Sequence, residues 1–122
     1  MKRVRFILLI TSGILFFACN NNNNTHHEEK PIAISGEQLF KINCAQCHRP
    51  DADYVGAGLR DVVSRWNNKS LLYEFVRSPQ EVIAKDPYAK ALFEKWNRAF
   101  MQPFPNLTNE EIDSIFNYCN TK

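Results

Sequence analysis

Five consecutive residues constrain this chain more than any other feature: Cys44-Ala45-Gln46-Cys47-His48. On a helical turn, side chains three and four positions apart lie on the same side, so Cys44 lies beside both Cys47 and His48. Two thiols followed directly by an imidazole form the attachment motif of a c-type haem: the sulfurs become thioethers and the imidazole binds the iron. The motif therefore predicts one covalent haem c, attached at Cys44 and Cys47 and ligated by His48.

A Cys-x-x-Cys pair has two other common functions. As half of a zinc site it needs further ligands, and the other nearby histidines, His26 and His27, lie in a polar stretch. As a thioredoxin-type redox pair it would follow a strand, whereas residues 35–42 are predicted to be helical. The haem interpretation agrees with both the motif and its surroundings.

Residues 1–18 are interpreted as an export signal and not as part of the fold. Basic residues near the N-terminus precede the apolar run 6–18, which is short for a membrane span. Residues 16–19 resemble the lipobox of bacterial lipoproteins, with Phe16 where leucine is usual. The resemblance implies cleavage before Cys19 and lipidation of Cys19, and retention as an uncleaved signal anchor is the alternative.

Residues 19–34 are predicted to form a flexible tether between the lipidated Cys19 and the folded domain. This stretch contains five consecutive asparagines and has no apolar periodicity, so it cannot bury enough surface to offset the entropy of ordering. We therefore expect an exported lipoprotein that is anchored to the inner or outer membrane and faces the periplasm.

The charge balance argues against a nucleic-acid partner. Cleavage of the signal removes three of the 15 Lys and Arg residues, which leaves 12 against 13 Asp and Glu, a net charge of −1. The remaining charges alternate in sign, as on a solvated helical surface.

Residues 35–120 are predicted to be a single all-α domain. A domain of this size struggles to build an adequate apolar core without a staple or cofactor. A covalent haem supplies both, so we expect about four helices packed around one haem.

Four segments combine a helix start signal with apolar residues at helical spacing. The predicted caps are Ser35, Ser70, Asp86 and Thr108. The first helix is expected to bury Leu39, Phe40 and Ile42, and Pro79 is expected to end the second. Residues 50–66 are expected to form an irregular loop, and Cys119 is expected to pack in the core.

Met101 is the candidate for the second axial ligand of the iron. It is the only methionine beyond Met1, and it lies in a loop restricted by Pro103 and Pro105. A single methionine often serves only to fill a gap in a core. In a haem protein, a loop methionine just before the last helix is better explained as the axial thioether.

These features together resemble the small class I cytochromes c over nearly the whole predicted domain. The matching residues are Gly36, Phe40, the Cys44–His48 motif, Met101, Phe104, Pro105, Leu107, Thr108, Glu111, Ile112 and Tyr118. The resemblance implies that the first and last helices cross, with Gly36 and Phe40 meeting Phe116 and Tyr118. It also implies that His48 and Met101 bind iron from opposite sides.

The resemblance further suggests which residues surround these ligands. The family has a Gly-Pro-x-Leu stretch whose proline carbonyl accepts a hydrogen bond from the axial imidazole. Here Ala57 replaces that proline, which leaves the carbonyl but removes the ring that stiffens it. Arg65 and Trp66 are similar in position to residues that meet a haem propionate.

The resulting expectation is a membrane-tethered, monohaem, single-electron carrier with His/Met ligation. Its partners would be transient electron donors and acceptors, and no enzymatic activity or small-molecule substrate is expected. One alternative is a haem-based gas sensor or peroxidase-like enzyme with a labile sixth ligand. Another is a fixed electron-relay subunit of a larger oxidase or dehydrogenase.

Overall fold

The computed structural model describes residues 34–122, and every regular element in this range is helical. The helices are α1 (Gly36–Asn43), α2 (Lys69–Arg77), α3 (Pro79–Lys85), α4 (Pro87–Lys95) and α5 (Asn109–Asn120), with one 3₁₀ turn at Val62–Arg65. The all-α prediction is confirmed. None of these helices is both long and apolar enough to cross a membrane. The signal 1–18, Cys19 and nearly all of the tether 19–34 lie outside the described residues.

Helices α1 and α5 cross at close range because Gly36 has no side chain. A Cβ atom on Gly36 would lie 2.0 Å from the carbonyl oxygen of Ser114 in α5. Farther along the same contact, the rings of Phe40 and Tyr118 pack with their centroids 5.5 Å apart. The expected crossing of the first and last helices is therefore present.

The capping boxes predicted at Ser35 and Thr108 are both formed, and each fixes the start of a helix in this crossing. Ser35 exchanges hydrogen bonds with Gln38 at the start of α1, and Thr108 does the same with Glu111 at the start of α5. Capping of this kind contributes about 1 kcal/mol to a helix. Asp86 caps α4 as predicted, by accepting from the Ala89 N–H.

The core is assembled from all of the helices and the 3₁₀ turn. Its buried apolar residues are Leu39, Phe40, Val62, Trp66, Leu72, Tyr73, Val76, Val82, Ala89, Ile112, Ile115, Phe116 and Cys119. Cys119 is completely buried, as expected for a packing residue. Ile42 was expected in the core but is 74 % exposed, because it follows Phe40 by two residues and so points about 200° away around the helix.

Residues 34–122 contain five α-helices where about four were expected, because Pro79 begins a helix instead of only ending one. Proline suits the first position of a helix because an N–H at that position would have no hydrogen-bond partner within the helix. Ser78 joins the two helices: its N–H donates to Glu74 O at the end of α2 at 2.7 Å, and its carbonyl accepts from the Val82 N–H in α3 at 3.3 Å.

The prediction that Ser70 caps α2 was also wrong. Asn68 is the cap, and its side chain accepts from the Ser70 N–H at 2.8 Å.

Candidate haem-binding site

The attachment motif forms one compact turn directly after α1. The Cys44 N–H donates to Phe40 O at 2.8 Å, which makes Cys44 the C-cap of the helix. Cys44 O then accepts from the N–H groups of Cys47 at 3.1 Å and His48 at 2.9 Å. The two thiols and the imidazole therefore belong to a single rigid unit.

The His48 ring is neutral: Nδ1 is hydrogen-bonded and Nε2 carries no proton. Its Nδ1 lies 2.7 Å from Ala57 O, and since a carbonyl only accepts, Nδ1 carries the proton. Burial lowers the pKa of His48, an effect that the Ala57 bond opposes and the positive charge of Arg65 reinforces. The neutral ring thus has its lone pair on Nε2, the form in which histidine binds a metal.

Gly56 lies against the face of the His48 ring. A Cβ atom at this position would be 2.6 Å from Cε1 and 3.0 Å from Nδ1 of His48, closer than van der Waals contact permits. Gly56 does not have a positive φ, so glycine is required here for space and not for backbone conformation.

Cys44 is not prepared for thiol redox chemistry. Burial, with a smaller effect from the neighbouring Cys119, raises the pKa of Cys44 to about 12. Redox-active Cys-x-x-Cys pairs depend on a lowered thiol pKa, because the thiolate is the nucleophile. The folded chain therefore disfavours the thioredoxin-type interpretation.

The attachment turn opens into a large apolar cavity. Cys44, Cys47, His48 and Met101 all line it, and the space, counted with its open side, is about 1350 Å³. Its apolar walls include Leu59, Val62, Leu72, Phe75, Val76, Ile83, Leu92, Phe93, Phe104, Ile112, Ile115 and Phe116. Ligand sites in proteins are typically concave and lined mostly by apolar side chains, so the lining of this cavity suits a large apolar group.

The loop that carries Met101 is tied to the helices. Three residues after Met101, the Phe104 N–H donates to Val76 O in α2 at 3.1 Å. Arg77 continues the attachment by donating from Nε to Leu107 O at 2.8 Å. Met101 itself is half-buried and packs against the core. The methionine is thereby held at the same cavity as His48.

Trp96 supplies an independent test of whether a haem fits. Its indole N–H is buried and has no hydrogen-bond partner among the described residues, and Trp96 lines the cavity. Buried polar groups in proteins are almost always satisfied. A haem attached at the two thiols would fill the space between the apolar walls, and its acidic propionates could accept a hydrogen bond from the Trp96 N–H.

The residues expected around the ligands also lie at the cavity. Ala57 accepts from His48, and Arg65 donates from Nη2 to the carbonyls of Gly58 and Arg60. Trp66 is buried, and its ring packs at 5.0 Å from that of Phe75. All three line the cavity.

Sequence reasoning missed several residues of this site. The unpaired N–H of Trp96 was not anticipated, since Trp96 was interpreted only as part of an apolar helix face. The contacts of Arg49 and Tyr54 with the attachment turn were also missed. The presence of an arginine directly after the Cys-x-x-Cys-His string was the one signal available for them.

Comparisons with known proteins agree with the geometry. The family model described as Cytochrome c matches residues 33–121. No protein with a curated function matches this chain significantly.

Several solved structures share the fold, among them the following three. A cytochrome c from Rhodothermus marinus has a TM-score of 0.58 and 30 % identity, with coverage of 70 % of this chain and 72 % of that chain. The cytochrome c domain of a Pseudomonas putida protein has a TM-score of 0.55 and 30 % identity, covering 71 % and 86 %. An engineered Rhodothermus marinus cytochrome c bound to a carbene intermediate has a TM-score of 0.55 and 28 % identity, covering 71 % and 75 %.

Membership of this family explains the turn formed by the Cys-x-x-Cys-His motif, the neutral imidazole of His48 and the large apolar cavity together. It also implies that the protein exchanges electrons with redox partner proteins. The chain belongs to the class I cytochrome c family, which carries covalent haem c for electron transfer, and its Cys44 and Cys47 fit the Cys-x-x-Cys-His motif of that attachment.

Proposed function

We propose that the protein is a single-electron carrier in which His48 and Met101 are the two axial ligands of the haem iron. The observation that carries this proposal is that Met101 lines the same cavity as His48 and both cysteines, on a loop fastened to α2. Apart from Met1, the chain contains no other methionine. A thioether opposite an imidazole favours ferrous iron and a high potential.

The bound haem supplies the one-electron chemistry, and the residues of this chain hold its surroundings constant. His48 keeps its proton on Nδ1 through the bond to Ala57 O, so Nε2 is free to bind the iron. The apolar walls of the cavity exclude water, which lowers the local dielectric and helps to set the potential. A closed coordination sphere distinguishes such a carrier from a gas sensor or peroxidase.

Two exposed apolar side chains line the cavity and offer a contact surface for redox partners. Val55 is 49 % exposed and Phe100 is 70 % exposed. An exposed apolar contact next to the cofactor suits brief association, since electron transfer requires approach to the cofactor and not a permanent interface.

Binding of carbon monoxide tests the ligation. We expect the ferrous protein to be low-spin and slow to bind carbon monoxide, and the ferric protein to show the far-red sulfur-to-iron band of thioether ligation. Met101→Leu, which keeps the size but removes the thioether donor, should bind carbon monoxide rapidly. Met101→His restores a ligand and is the matched control.

Rapid carbon monoxide binding by the unmutated protein, without the far-red band, would replace the carrier with the sensor or peroxidase-like enzyme. Isolation from native membranes only in a stoichiometric complex would instead indicate a fixed relay subunit of an oxidase or dehydrogenase.

We further propose that the mature protein begins at Cys19, carries lipid there and is held at the periplasmic face of a membrane. The support is the apolar run 6–18 that ends at this cysteine, followed by the polar tether. Mass spectrometry of the native protein should find an acylated Cys19 as the first residue. Cys19→Ala should block lipid-dependent maturation and leave the signal uncleaved, whereas Cys119→Ala should mature like the unmutated protein. Recovery of the chain with Met1 intact would refute the proposal.

A further inference from the structure

The chain between the attachment turn and Ala57 folds back on itself in a hydrogen-bonded loop, residues 49–58. The Gly56 N–H donates to Cys47 O at 2.9 Å, and the Leu59 N–H donates to Arg49 O at 3.0 Å. Within the loop, the Tyr54 N–H donates to Gly56 O at 2.9 Å. This return path is what brings Gly56 and Ala57 to the His48 ring.

The side chain of Arg49 bridges this loop and the attachment turn. Its Nη1 donates to Ala45 O, between the two cysteines, and to His48 O at 3.0 Å. Its guanidinium carbon lies 3.9 Å from the centroid of the Tyr54 ring at the outer part of the loop. A planar guanidinium can donate to carbonyls at its edge while its face packs on an aromatic ring.

We propose that Arg49 and Tyr54 form a positioning clamp for the axial histidine. The clamp supports both partners of the His48–Ala57 hydrogen bond. Arg49 holds the turn that contains His48, and Tyr54 belongs to the loop that places Ala57 O beside the ring. The inference rests on the proposed function for the role of His48 as an iron ligand. The clamp keeps the imidazole in one orientation and Nδ1–H bound to its acceptor.

A clamp is needed here because Ala57 does not restrain its own carbonyl. Proline fixes φ and would hold the carbonyl stiffly, whereas alanine leaves its placement to the surrounding loop. Ala57 does not have a positive φ, and its N–H makes no hydrogen bond to another described residue. Neither backbone conformation nor a lost N–H hydrogen bond therefore excludes proline at this position, so the dependence on the clamp can be tested directly.

The test uses holoprotein and two readouts of His48. Nuclear magnetic resonance of the ferrous form measures exchange of the Nδ1 proton, and electron paramagnetic resonance of the ferric form reports ligand orientation through its g-values. Arg49→Met keeps the aliphatic stem and removes every donor, and Tyr54→Ser removes the packed ring of a residue that is 55 % exposed. Arg49→Met should speed exchange roughly tenfold or more, as loss of a charge-assisted hydrogen bond shifts local opening by that order. Tyr54→Ser should speed it about two- to fivefold, as expected for loss of an exposed cation–π contact.

Controls separate positioning from general loosening. Tyr54→Phe keeps the ring under Arg49 and should match the unmutated protein. Ala57→Pro, introduced into Arg49→Met, should return the exchange rate and the g-values to those of the unmutated protein. If Arg49→Met yields too little holoprotein, the pair Tyr54→Ser and Tyr54→Phe gives the same comparison.

Unchanged exchange and g-values in both Arg49→Met and Tyr54→Ser would overturn the clamp, as would a change that Ala57→Pro leaves uncorrected. If Met101 does not bind the iron in the unmutated protein, the carrier function is refuted instead. That result leaves the clamp standing, because the exchange of the Nδ1 proton depends on His48 and not on Met101.

Discussion

At the scale of single residues, the space over the His48 ring depends on Gly56 having no side chain. The Cβ atom of Gly56→Ala would lie 2.6 Å from His48 Cε1, so the ring or the loop must shift. We expect a destabilisation of about 1–3 kcal/mol, as for overpacking in a core, together with a changed ferric spectrum. Thermal unfolding and electron paramagnetic resonance of the holoprotein measure the two effects.

Gly58→Ala is the matched control for this prediction. Its Cβ would meet the backbone of Ala52 at 3.0 Å, so it strains the same loop without touching the imidazole. The interpretation would be wrong if both variants changed stability equally and left the spectrum unaltered.

At the scale of helices, α2 and α5 are joined through Asp113. Its carboxylate accepts from Tyr73 Oη at 2.8 Å and from Lys69 Nζ at 2.9 Å. Burial alone would raise the pKa of Asp113, but the bonds from Lys69 and Tyr73 outweigh it and hold the pKa below its ordinary value. The contact therefore stabilises the fold above the unfolded-state pKa of about 3.9, and this stabilisation is lost as the pH falls through the lower folded-state value.

We expect the melting temperature of the holoprotein to fall between about pH 5 and pH 2, and to fall less in Asp113→Asn. The difference should stay below about 1 kcal/mol because the pair is partly exposed and screened by solvent. Thermal unfolding across this pH range is the measurement, and Tyr73→Phe removes one bond while keeping the ring. Parallel pH profiles for the unmutated protein and Asp113→Asn would contradict the assignment.

At the scale of the whole molecule, the cavity walls are also the core of the fold. Ile112, Ile115 and Phe116 of α5 are buried and line the cavity, as do Leu72 and Val76 of α2. Without a covalently attached haem, these faces would have water or each other as neighbours, and a domain this small has little other core.

The double variant Cys44→Ala, Cys47→Ala should therefore lose both colour and cooperative tertiary structure. Near-ultraviolet circular dichroism and thermal unfolding, compared with the holoprotein, measure this loss. Cys119→Ala changes the core by one sulfur atom and should keep both properties. A colourless double variant that still unfolds cooperatively would show that the helices pack without haem.

Features that depend on neighbouring residues could be predicted from the sequence. The haem motif is one turn of chain, and the capping boxes at Ser35 and Thr108 each span four residues, so local geometry determines them. The spacing of apolar residues placed α1, α4 and α5 for the same reason. The prediction for Pro79 was incomplete because a proline can end one helix and can also begin the next. Only the packing of α3 shows that a helix begins there.

Contacts between residues without a fixed sequence relation required the tertiary structure. The approach of Gly56 to His48, the unpaired N–H of Trp96 and the packing of Arg49 on Tyr54 all depend on how a loop returns to the attachment turn. Such a path is the net result of many weak contacts, none of which has a periodic signature in the sequence. The sequence by itself determined where the haem attachment motif lies, and the tertiary structure decided how the imidazole of that motif is held.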